Sequence, residues 1–272
     1  MESDNIVKIK DLYNKRYLDG YRETLSGYEF ARWRALDHFI RKILKMDNIK
    51  KVLDYGSGGG LHINLWQKVF PFADLYFCDI SPASLEKLVC KYPEFKSKCA
   101  EVKNNRAPFD NDSFDVVMSI EVMEHVENLK DYLNDIHRLI KPGGSFIWTT
   151  PCANRFSIEH IFDKLTNQIE NTKEGYRRWK WEDHTHLRRM ESKEVKVKLQ
   201  EIGFDNIEFR FRAHFFSFVC TRFCKGPLTR LGEKLMLLDY FLFSKLSNGA
   251  SMIGRAKLSD TKDLRNTKKI KK

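Results

Sequence analysis

No run of about 18 apolar residues occurs in this sequence, so no segment is predicted to cross a membrane as a helix. The first residues lack the basic and apolar regions of a secretory signal, and the six cysteines are scattered rather than arranged as a disulfide framework. Internal repeats are absent, and so are low-complexity segments before residue 262. These absences favour a globular protein with free thiols in a reducing, cytoplasmic setting.

The net charge of +11 is high, but it is unevenly distributed along the 272 residues. Residues 262–272 contain six basic residues and one acidic residue, which gives this basic tail a net charge of +5 and leaves +6 for the rest. Such a tail is typical of a solvated chain end, with contact to an anionic membrane or to nucleic acid as the alternative. Nucleic-acid binding is therefore less favoured than the overall charge suggests.

Short apolar segments alternate with amphipathic ones over much of the chain, and 42% of the residues are hydrophobic, which is enough for a core. The predicted strands are 51–55, 74–79, 99–102, 114–120, 145–150 and 207–211, and the predicted helices are 61–70, 83–92, 129–140 and 192–202. This alternation predicts an α/β protein with a doubly wound, mostly parallel sheet. A further strand is predicted within residues 215–221.

The sequence is predicted to divide into four units, one of which is the sheet domain. Residues 1–48 are predicted to form an N-terminal helical cap, with 29–46 as its clearest helix. The sheet domain is predicted to span 49–224 and to carry a lid insertion at 151–185, where the alternation breaks. Residues 225–261 are predicted to be an apolar helical segment that precedes the basic tail, 262–272.

The most apolar part of that helical segment, residues 231–246, contains four charged side chains. It is expected to pack on the sheet domain, to form a dimer contact or to lie on a membrane surface. A location in the cytoplasm with association to a membrane is therefore one of the expectations.

A glycine-rich loop follows the first predicted strand. Residues 54–60 are Asp-Tyr-Gly-Ser-Gly-Gly-Gly, and glycines let a backbone take positive φ values and pass close to a ligand. Leu61 stands where the NAD fingerprint needs glycine or alanine, and no Lys-Ser or Lys-Thr pair of a P-loop follows. Asp79 ends the next strand, where a carboxylate can accept two hydrogen bonds from a ribose diol.

Further short motifs follow the loop in order. They are Asp79, Ala-Pro-Phe at 107–109, Ser-Phe-Asp-Val-Val at 113–117, Glu-Val-Met-Glu-His-Val at 121–126, and Leu-Ile-Lys-Pro-Gly-Gly at 139–144. This ordered set resembles the class I S-adenosylmethionine (SAM) methyltransferases, and 121–126 is especially similar to ubiquinone-biosynthesis O-methyltransferases. The resemblance covers roughly residues 48–151 and implies a Rossmann-like fold of seven strands with SAM as the cofactor.

The resemblance also implies cofactor-binding roles at the matching positions. The backbone at Gly56 and Gly58 would pass the methionine part of SAM, and Asp54 would orient this loop or the amino group. Asp79 would hold the ribose hydroxyls, and Ile80 would pack on the adenine.

Other positions carry further implied roles. Glu121 would lie near the methionine part of SAM. An aspartate that many relatives place near the adenine is absent, and Asn104 or Asn105 is expected to take its place. Arg32 or Arg34 would bind the SAM carboxylate, or would lie on a solvated helix face.

Glu121, Glu124 and His125 are spaced so that they share one face of a helix, and His184 and His186 occur later in the chain. A histidine can act as a general base, or these residues can shape the site. The set also resembles the metal-dependent small-RNA 3′-end 2′-O-methyltransferases. We predict His125, His184 and His186 as catalytic residues and no metal ligand, with a divalent metal as the less favoured alternative.

The implied function is transfer of a methyl group from SAM to a small-molecule acceptor. The expected acceptor atom is an oxygen of a biosynthetic intermediate such as a sugar or a polyprenyl compound. One alternative is a metal-dependent RNA ribose 2′-O-methyltransferase, with basic residues of the lid region, Arg177, Arg178, Arg188 and Arg189, on the RNA. The other alternative is a non-catalytic subunit that uses the SAM-binding fold to activate a partner.

Overall fold

A seven-stranded sheet forms the centre of the computed structural model, which describes residues 4–21, 24–44, 48–224 and 226–259. The strands of this sheet are β1 (Lys51–Tyr55), β2 (Asp74–Asp79), β3 (Cys99–Glu101), β4 (Phe114–Ile120), β5 (Ile140–Pro151), β8 (Phe204–Arg212) and β9 (Ser251–Leu258). They lie in the order β3-β2-β1-β4-β5-β9-β8, and β1 to β5 pair in parallel. The predicted mostly parallel, seven-stranded sheet is confirmed.

Helices cover both faces of the sheet. The helices are α1 (Asp4–Leu18), α2 (Gly27–Ile43), α3 (Ile63–Val69), α4 (Pro82–Lys91), α5 (Leu129–Leu139), α6 (Ile158–Leu165), α7 (Ser192–Ile202), α8 (Phe215–Phe223) and α9 (Thr229–Phe243). The apolar sides of α5 and α7 pack in one core, and those of α2, α3 and α4 pack in the other with Tyr240 of α9. The doubly wound arrangement follows, because each face of a parallel sheet needs a cover.

The prediction for residues 225–261 is wrong in its last part. The antiparallel strand β9 lies in this segment, between β5 and β8 in the sheet. A side chain at Gly254 would bring its Cβ within 2.1 Å of the Trp148 ring, so only glycine fits opposite that indole. Residues 229–243 of this segment form the helix α9, and residues 251–258 complete the sheet.

The strand predicted within 215–221 is also wrong, because these residues belong to α8. A short apolar run fits a buried helix as well as a strand. The buried carboxylate of Asp239 favours the helix over the strand. It accepts hydrogen bonds from the backbone N–H groups of Phe215 (3.1 Å) and Phe216 (3.0 Å) in the first turn of α8.

The predicted lid insertion, residues 151–185, contains α6 and a small hairpin of β6 (Ile169–Asn171) and β7 (Arg177–Trp179). In the predicted N-terminal cap, the clearest helix is α2, which begins two residues before the predicted 29–46; residues 45–47 and the basic tail lie outside the described residues. No helix among the described residues is both long and apolar enough to span a bilayer.

Candidate active site

The glycine loop lies at the carboxyl end of β1. Gly56 has φ +80° and Gly58 has φ +53°, values that side chains rarely adopt. The N–H groups of Gly56 and Ser57 donate to the carbonyl of Cys78 at 2.8 and 3.0 Å, which fastens the loop to β2. A Cβ at Gly58 would lie 2.2 Å from the hydroxyl of Tyr17 in α1. The loop is thus a narrow backbone cradle between β1 and α1.

Asp79 closes this cradle from the end of β2. Its Oδ2 accepts a hydrogen bond from Gly58 N–H at 2.8 Å, and its Oδ1 accepts one from Ser81 N–H at 2.9 Å. The side chain is 8% exposed and lines the cavity beside the loop. Burial raises the pKa of this carboxyl group, against the effect of the N–H donors. Asp79 therefore positions the glycine loop and also presents its carboxylate to the cavity.

Asp54 lies behind the loop and is not among the side chains that line the cavity. Trp66 Nε1 donates to its Oδ2 at 2.7 Å, and Oδ1 has no hydrogen-bond partner among the described residues. Burial raises the pKa of Asp54 to about 7, although the indole donor opposes the shift. Of the two roles expected for Asp54, this position favours the orientation of the loop.

The raised pKa of Asp54 predicts a dependence of stability on pH. The folded chain holds a proton that the unfolded chain releases above pH 4, so the unfolding free energy should fall as the pH rises from about 4 to 7. One such group contributes up to about 1.4 kcal/mol per pH unit. Urea unfolding of Asp54→Asn at pH 5, 6 and 7 should show a shallower fall than the wild type. Parallel profiles for the two proteins would contradict the assignment.

Helix α1, part of the predicted N-terminal helical cap, covers the cavity, and the tyrosines that it brings there were not among the predicted site residues. Tyr13, Tyr17 and Tyr21 line it, and their spacing of four residues was the available signal. Ile80 and Asn105 line the same cavity, as expected for an adenine site. The prediction of Asn104 is corrected, because it lines only a neighbouring surface cavity that Asn105 also reaches.

Three contacts hold α1 over the cavity. The Lys10 ammonium pairs with Glu101 at the end of β3. Asn14 Oδ1 accepts hydrogen bonds from Ser81 Oγ at 2.7 Å and from Ala83 N–H at 3.3 Å, at the start of α4. Arg16 pairs with Asp183 at 2.8 Å. The helix is therefore attached both to the sheet edge and to the lid region.

Glu121 links this cavity to a second one. Its backbone has φ +56°, a strained value for a non-glycine residue that is often found at functional sites. Its Oε1 accepts a hydrogen bond from Thr149 Oγ1 at 2.8 Å, and its Oε2 lies 3.0 Å from Arg32. Arg32 is 4% exposed, so the alternative of a solvated helix face is wrong for it, whereas Arg34 is exposed. Glu121 lines both cavities.

The second cavity has a volume of about 530 Å³, within the range of small-molecule sites. Its aromatic lining residues are Tyr28, Trp181 and Phe218. Glu182 and His186 form a dyad on its wall, with His186 Nδ1 3.0 Å from Glu182 Oε1. This cavity is therefore the candidate acceptor site.

The environment sets the charges of this dyad. Burial alone would raise the pKa of Glu182, but Arg189 and His186 outweigh burial and lower it to about 2. Burial would lower the pKa of His186, but the bond to Glu182 and the nearby Glu124 raise it instead. Glu182 is therefore an anion that holds Nδ1–H of His186, and Nε2 is the nitrogen that can accept a proton.

The structure brings two of the three predicted catalytic histidines together and places the third on the surface. His125 lines the cofactor cavity, with Nδ1 3.0 Å from the carbonyl of Thr185. The rings of His125 and His186 are 4.6 Å apart between centroids. His184 lines neither cavity and its side chain is 69% exposed, so the prediction of a catalytic role for His184 is corrected. The loop turns His186 inward and leaves His184 on the surface.

Glu124, His125 and His186 could hold a metal ion, because one ligand atom from each lies within 4.8 Å of the others. Glu124 is fully buried, and burial and Glu121 raise its pKa to about 8. Thr150 Oγ1 donates to its Oε2 at 2.9 Å. The same three groups can therefore hold either a shared proton or a divalent cation.

Two of the four arginines expected on RNA point into the protein. Arg188 and Arg189 are 2% and 4% exposed. Arg188 donates to the carbonyls of Val126 and Glu127, and Arg189 pairs with Glu159 and Glu182. Arg177 and Arg178 pair with Glu191 and Glu170. These four side chains are thus engaged by protein groups.

A family model described as a methyltransferase domain matches residues 27–208. The chain belongs to the class I SAM-dependent methyltransferases. The residues around its first cavity fit the cofactor, because Gly56, Asp79 and Ile80 line it. The prediction of Gly58 is corrected, because Gly58 does not line this cavity and lies against the hydroxyl of Tyr17. In this methyltransferase the cavity at the carboxyl ends of β1, β2 and β4 is the candidate SAM site, and the candidate acceptor cavity lies beyond Glu121.

Relatives of this methyltransferase act in quinone biosynthesis. A demethylmenaquinone methyltransferase of Tropheryma whipplei is 24% identical over 233 residues, which cover 81% of this chain and 93% of the relative. A ubiquinone biosynthesis O-methyltransferase of Maricaulis maris is 32% identical over 44% of this chain and 48% of the relative.

Solved structures show the same fold. A SAM-dependent methyltransferase from Archaeoglobus fulgidus superposes with a TM-score of 0.51 at 16% identity, over 83% of this chain and 94% of that one. A Haemonchus contortus phosphoethanolamine N-methyltransferase, bound to phosphomonomethylethanolamine and S-adenosylhomocysteine, superposes with a TM-score of 0.54 at 14% identity. It matches over 84% of this chain and 52% of that one.

Proposed function

We propose that this methyltransferase methylates an oxygen of a small biosynthetic intermediate, and that His186 is the general base. The observation that carries the proposal is the Glu182–His186 dyad on the wall of the acceptor cavity. A carboxylate that holds Nδ1–H of a histidine fixes the ring and stabilises its charged form, so the opposite nitrogen can accept a hydroxyl proton.

The residues of the first cavity orient the cofactor, and those of the second bind and deprotonate the acceptor. Bound SAM supplies an electrophilic methyl group on its sulfonium. Asp79 and the backbone of the glycine loop orient the cofactor, and Glu121 lies where the two cavities meet. His186 takes the proton of the acceptor hydroxyl as the hydroxyl oxygen bonds to the methyl carbon and the methyl–sulfur bond breaks, with S-adenosylhomocysteine as the leaving group. Proximity and alignment of the reacting groups supply much of the rate.

The lining of the acceptor cavity and the names of the relatives support the proposed acceptor class. Three aromatic side chains, Tyr28, Trp181 and Phe218, offer flat surfaces to a ring. The two relatives named for menaquinone and ubiquinone biosynthesis support a ring-bearing biosynthetic acceptor. An intermediate that carries a hydroxyl group and a polyprenyl or sugar portion fits these features best.

A second candidate is metal-dependent methylation of an RNA ribose, which the cluster of Glu124, His125 and His186 supports. Two imidazoles and one carboxylate suit several first-row transition metals. The inward pairing of Arg188 and Arg189 weighs against it, because an RNA backbone needs accessible cations. We therefore place this candidate second.

A transfer assay with radiolabelled SAM separates the candidates. Purified protein would be given catechols, hydroxylated polyprenyl precursors, sugars and short RNA, each with EDTA or with added Mn²⁺. We expect an O-methylated small molecule and the same rate in both conditions. Transfer only to RNA 3′ ends with Mn²⁺ would establish the second candidate. S-adenosylhomocysteine binding without transfer to any acceptor would favour the non-catalytic subunit.

A further inference from the structure

The outer face of α9 departs from the usual pattern of a surface helix, although Met236 and Tyr240 are buried on its inner side. Such a helix normally buries its apolar side chains and exposes polar ones. In α9 the exposed apolar side chains are Leu231, Leu238, Phe241 and Leu242, each between 42% and 58% exposed. The buried side includes the charged Asp239. The helix therefore turns an apolar surface away from the protein.

Helix α8 continues this surface. Phe215, Val219 and Phe223 recur every four residues, so they form one stripe, and Phe223 is 72% exposed. The carboxylate of Asp239 in α9 caps the first turn of α8 and also accepts a hydrogen bond from Ser217 Oγ at 3.1 Å. A buried polar contact thus fixes the two helices side by side.

Helix α6 of the lid region extends the surface further. Its exposed apolar side chains are Ile161, Phe162 and Leu165, and Leu165 is 82% exposed. The Phe162 ring lies 5.4 Å from the ring of Phe218 in α8. We call the exposed apolar side chains of α6, α8 and α9 the docking face. Helix α8 contacts both α6 and α9, and exposed apolar surface shared by neighbouring helices is typical of an interaction site.

The exposed charges beside the docking face are basic. Among the described side chains of the three helices, the exposed charged ones are Lys164, Arg230 and Lys234, while Glu233 of α9 is half-buried. Residues 262–272 add a net charge of +5 to the same chain. A second copy placed on this face would bring like charges together, because a symmetric dimer pairs a surface with itself. An anionic surface complements these charges.

The docking face adjoins the acceptor cavity. Ser217, Phe218 and Thr221 of α8 line that cavity, while Phe215, Val219 and Phe223 of the same helix point outward. A molecule held at the docking face is therefore one helix away from the acceptor site.

We propose that the docking face binds the surface of an anionic lipid bilayer, with α8 and α9 lying in the interface. Amphipathic helices of this kind insert their apolar side chains at the headgroup level while basic residues contact anionic lipids. The binding does not depend on the proposed activity. Membrane binding would give the enzyme access to an acceptor carried in the bilayer, and this second part of the proposal rests on the proposed function.

Vesicle co-sedimentation tests the proposal with the full chain. We expect binding to phosphatidylcholine vesicles that contain one quarter phosphatidylglycerol, and at least tenfold weaker binding to phosphatidylcholine alone. The double variant Leu238→Glu with Leu242→Glu should lose at least tenfold in partitioning. Arg230→Glu with Lys234→Glu should weaken binding to the anionic vesicles only.

Phe72→Glu is the matched control. Phe72 is 88% exposed and lies between α3 and β2, at the opposite edge of the sheet from the acceptor cavity. This variant should bind vesicles like the wild type. Titration with S-adenosylhomocysteine reports folding of each variant and is independent of which acceptor is used.

Two outcomes overturn the proposal. The first is equal vesicle binding by the wild type and by a folded Leu238→Glu/Leu242→Glu variant. The second is a stable dimer in light scattering that this variant converts to a monomer, which would assign the face to a second copy of the chain. Absence of methyl transfer in every acceptor assay, with vesicle binding intact, would count against the proposed function alone.

Discussion

Asp79→Ala is expected to weaken the binding of S-adenosylhomocysteine by 10- to 100-fold. The carboxylate accepts hydrogen bonds from Gly58 and Ser81 and faces the cavity where the ribose hydroxyls are expected. Its removal leaves two buried N–H groups without their acceptor and removes the acceptor for the ligand, at a cost of about 1–3 kcal/mol. Isothermal titration calorimetry of the purified variant measures the change directly.

Asp74→Ala provides the control for this measurement. Asp74 begins the strand that Asp79 ends, and its exposed carboxylate pairs with Lys98 at 2.6 Å. Because this pair lies at the other edge of the sheet, the dissociation constant should stay within twofold of the wild type. If Asp79→Ala bound S-adenosylhomocysteine as tightly as Asp74→Ala does, Asp79 would not be a cofactor-binding residue.

His186→Asn is expected to lower the turnover number by about 100- to 10,000-fold, the usual contribution of a general base. The dissociation constant of S-adenosylhomocysteine should change little, because His186 lines the acceptor cavity and not the cofactor cavity. The rate would be measured at saturating SAM with the best acceptor from the transfer assay. His184→Asn, two residues away and exposed, should keep the wild-type rate.

The pH profile of Glu182→Gln distinguishes a base from a residue that only shapes the cavity. His186 acts as a base when it is neutral, so the rate should rise with pH through its pKa. Glu182 raises that pKa, and loss of its charge should move the rising limb to lower pH and reduce the maximum rate. A profile that keeps the wild-type midpoint would exclude His186 as the group that titrates.

The fold and the SAM cofactor were predictable from the sequence, because their signals are local. The glycine loop, the position of Asp79 and the alternation of strands with helices each depend on neighbouring residues. The strand β9 was missed because its pairing depends on residues about a hundred positions earlier, in β5. Spacing patterns contain no record of such distant partners.

The acceptor site was only partly predictable for the same reason. His184 and His186 are two residues apart, and only the path of the loop beside Glu182 brings His186 inward. Arg32 becomes buried because Glu121, nearly ninety residues later, supplies its partner. The burial of charged groups is decided by tertiary contacts of this kind.

Because β9 lies between β5 and β8, the sheet cannot be completed during synthesis until β9 has been made. Strand β8 is an edge strand that reaches the rest of the sheet only through β9, although it is made about forty residues earlier. Until residue 258 has left the ribosome, β8 and the edge of β5 have no partner on that side. Pairing between distant segments is slow, and unpaired edges favour aggregation. The nascent chain therefore has an incomplete sheet. Helices α8 and α9, which are made before β9, must leave the space between β5 and β8 free until β9 enters it.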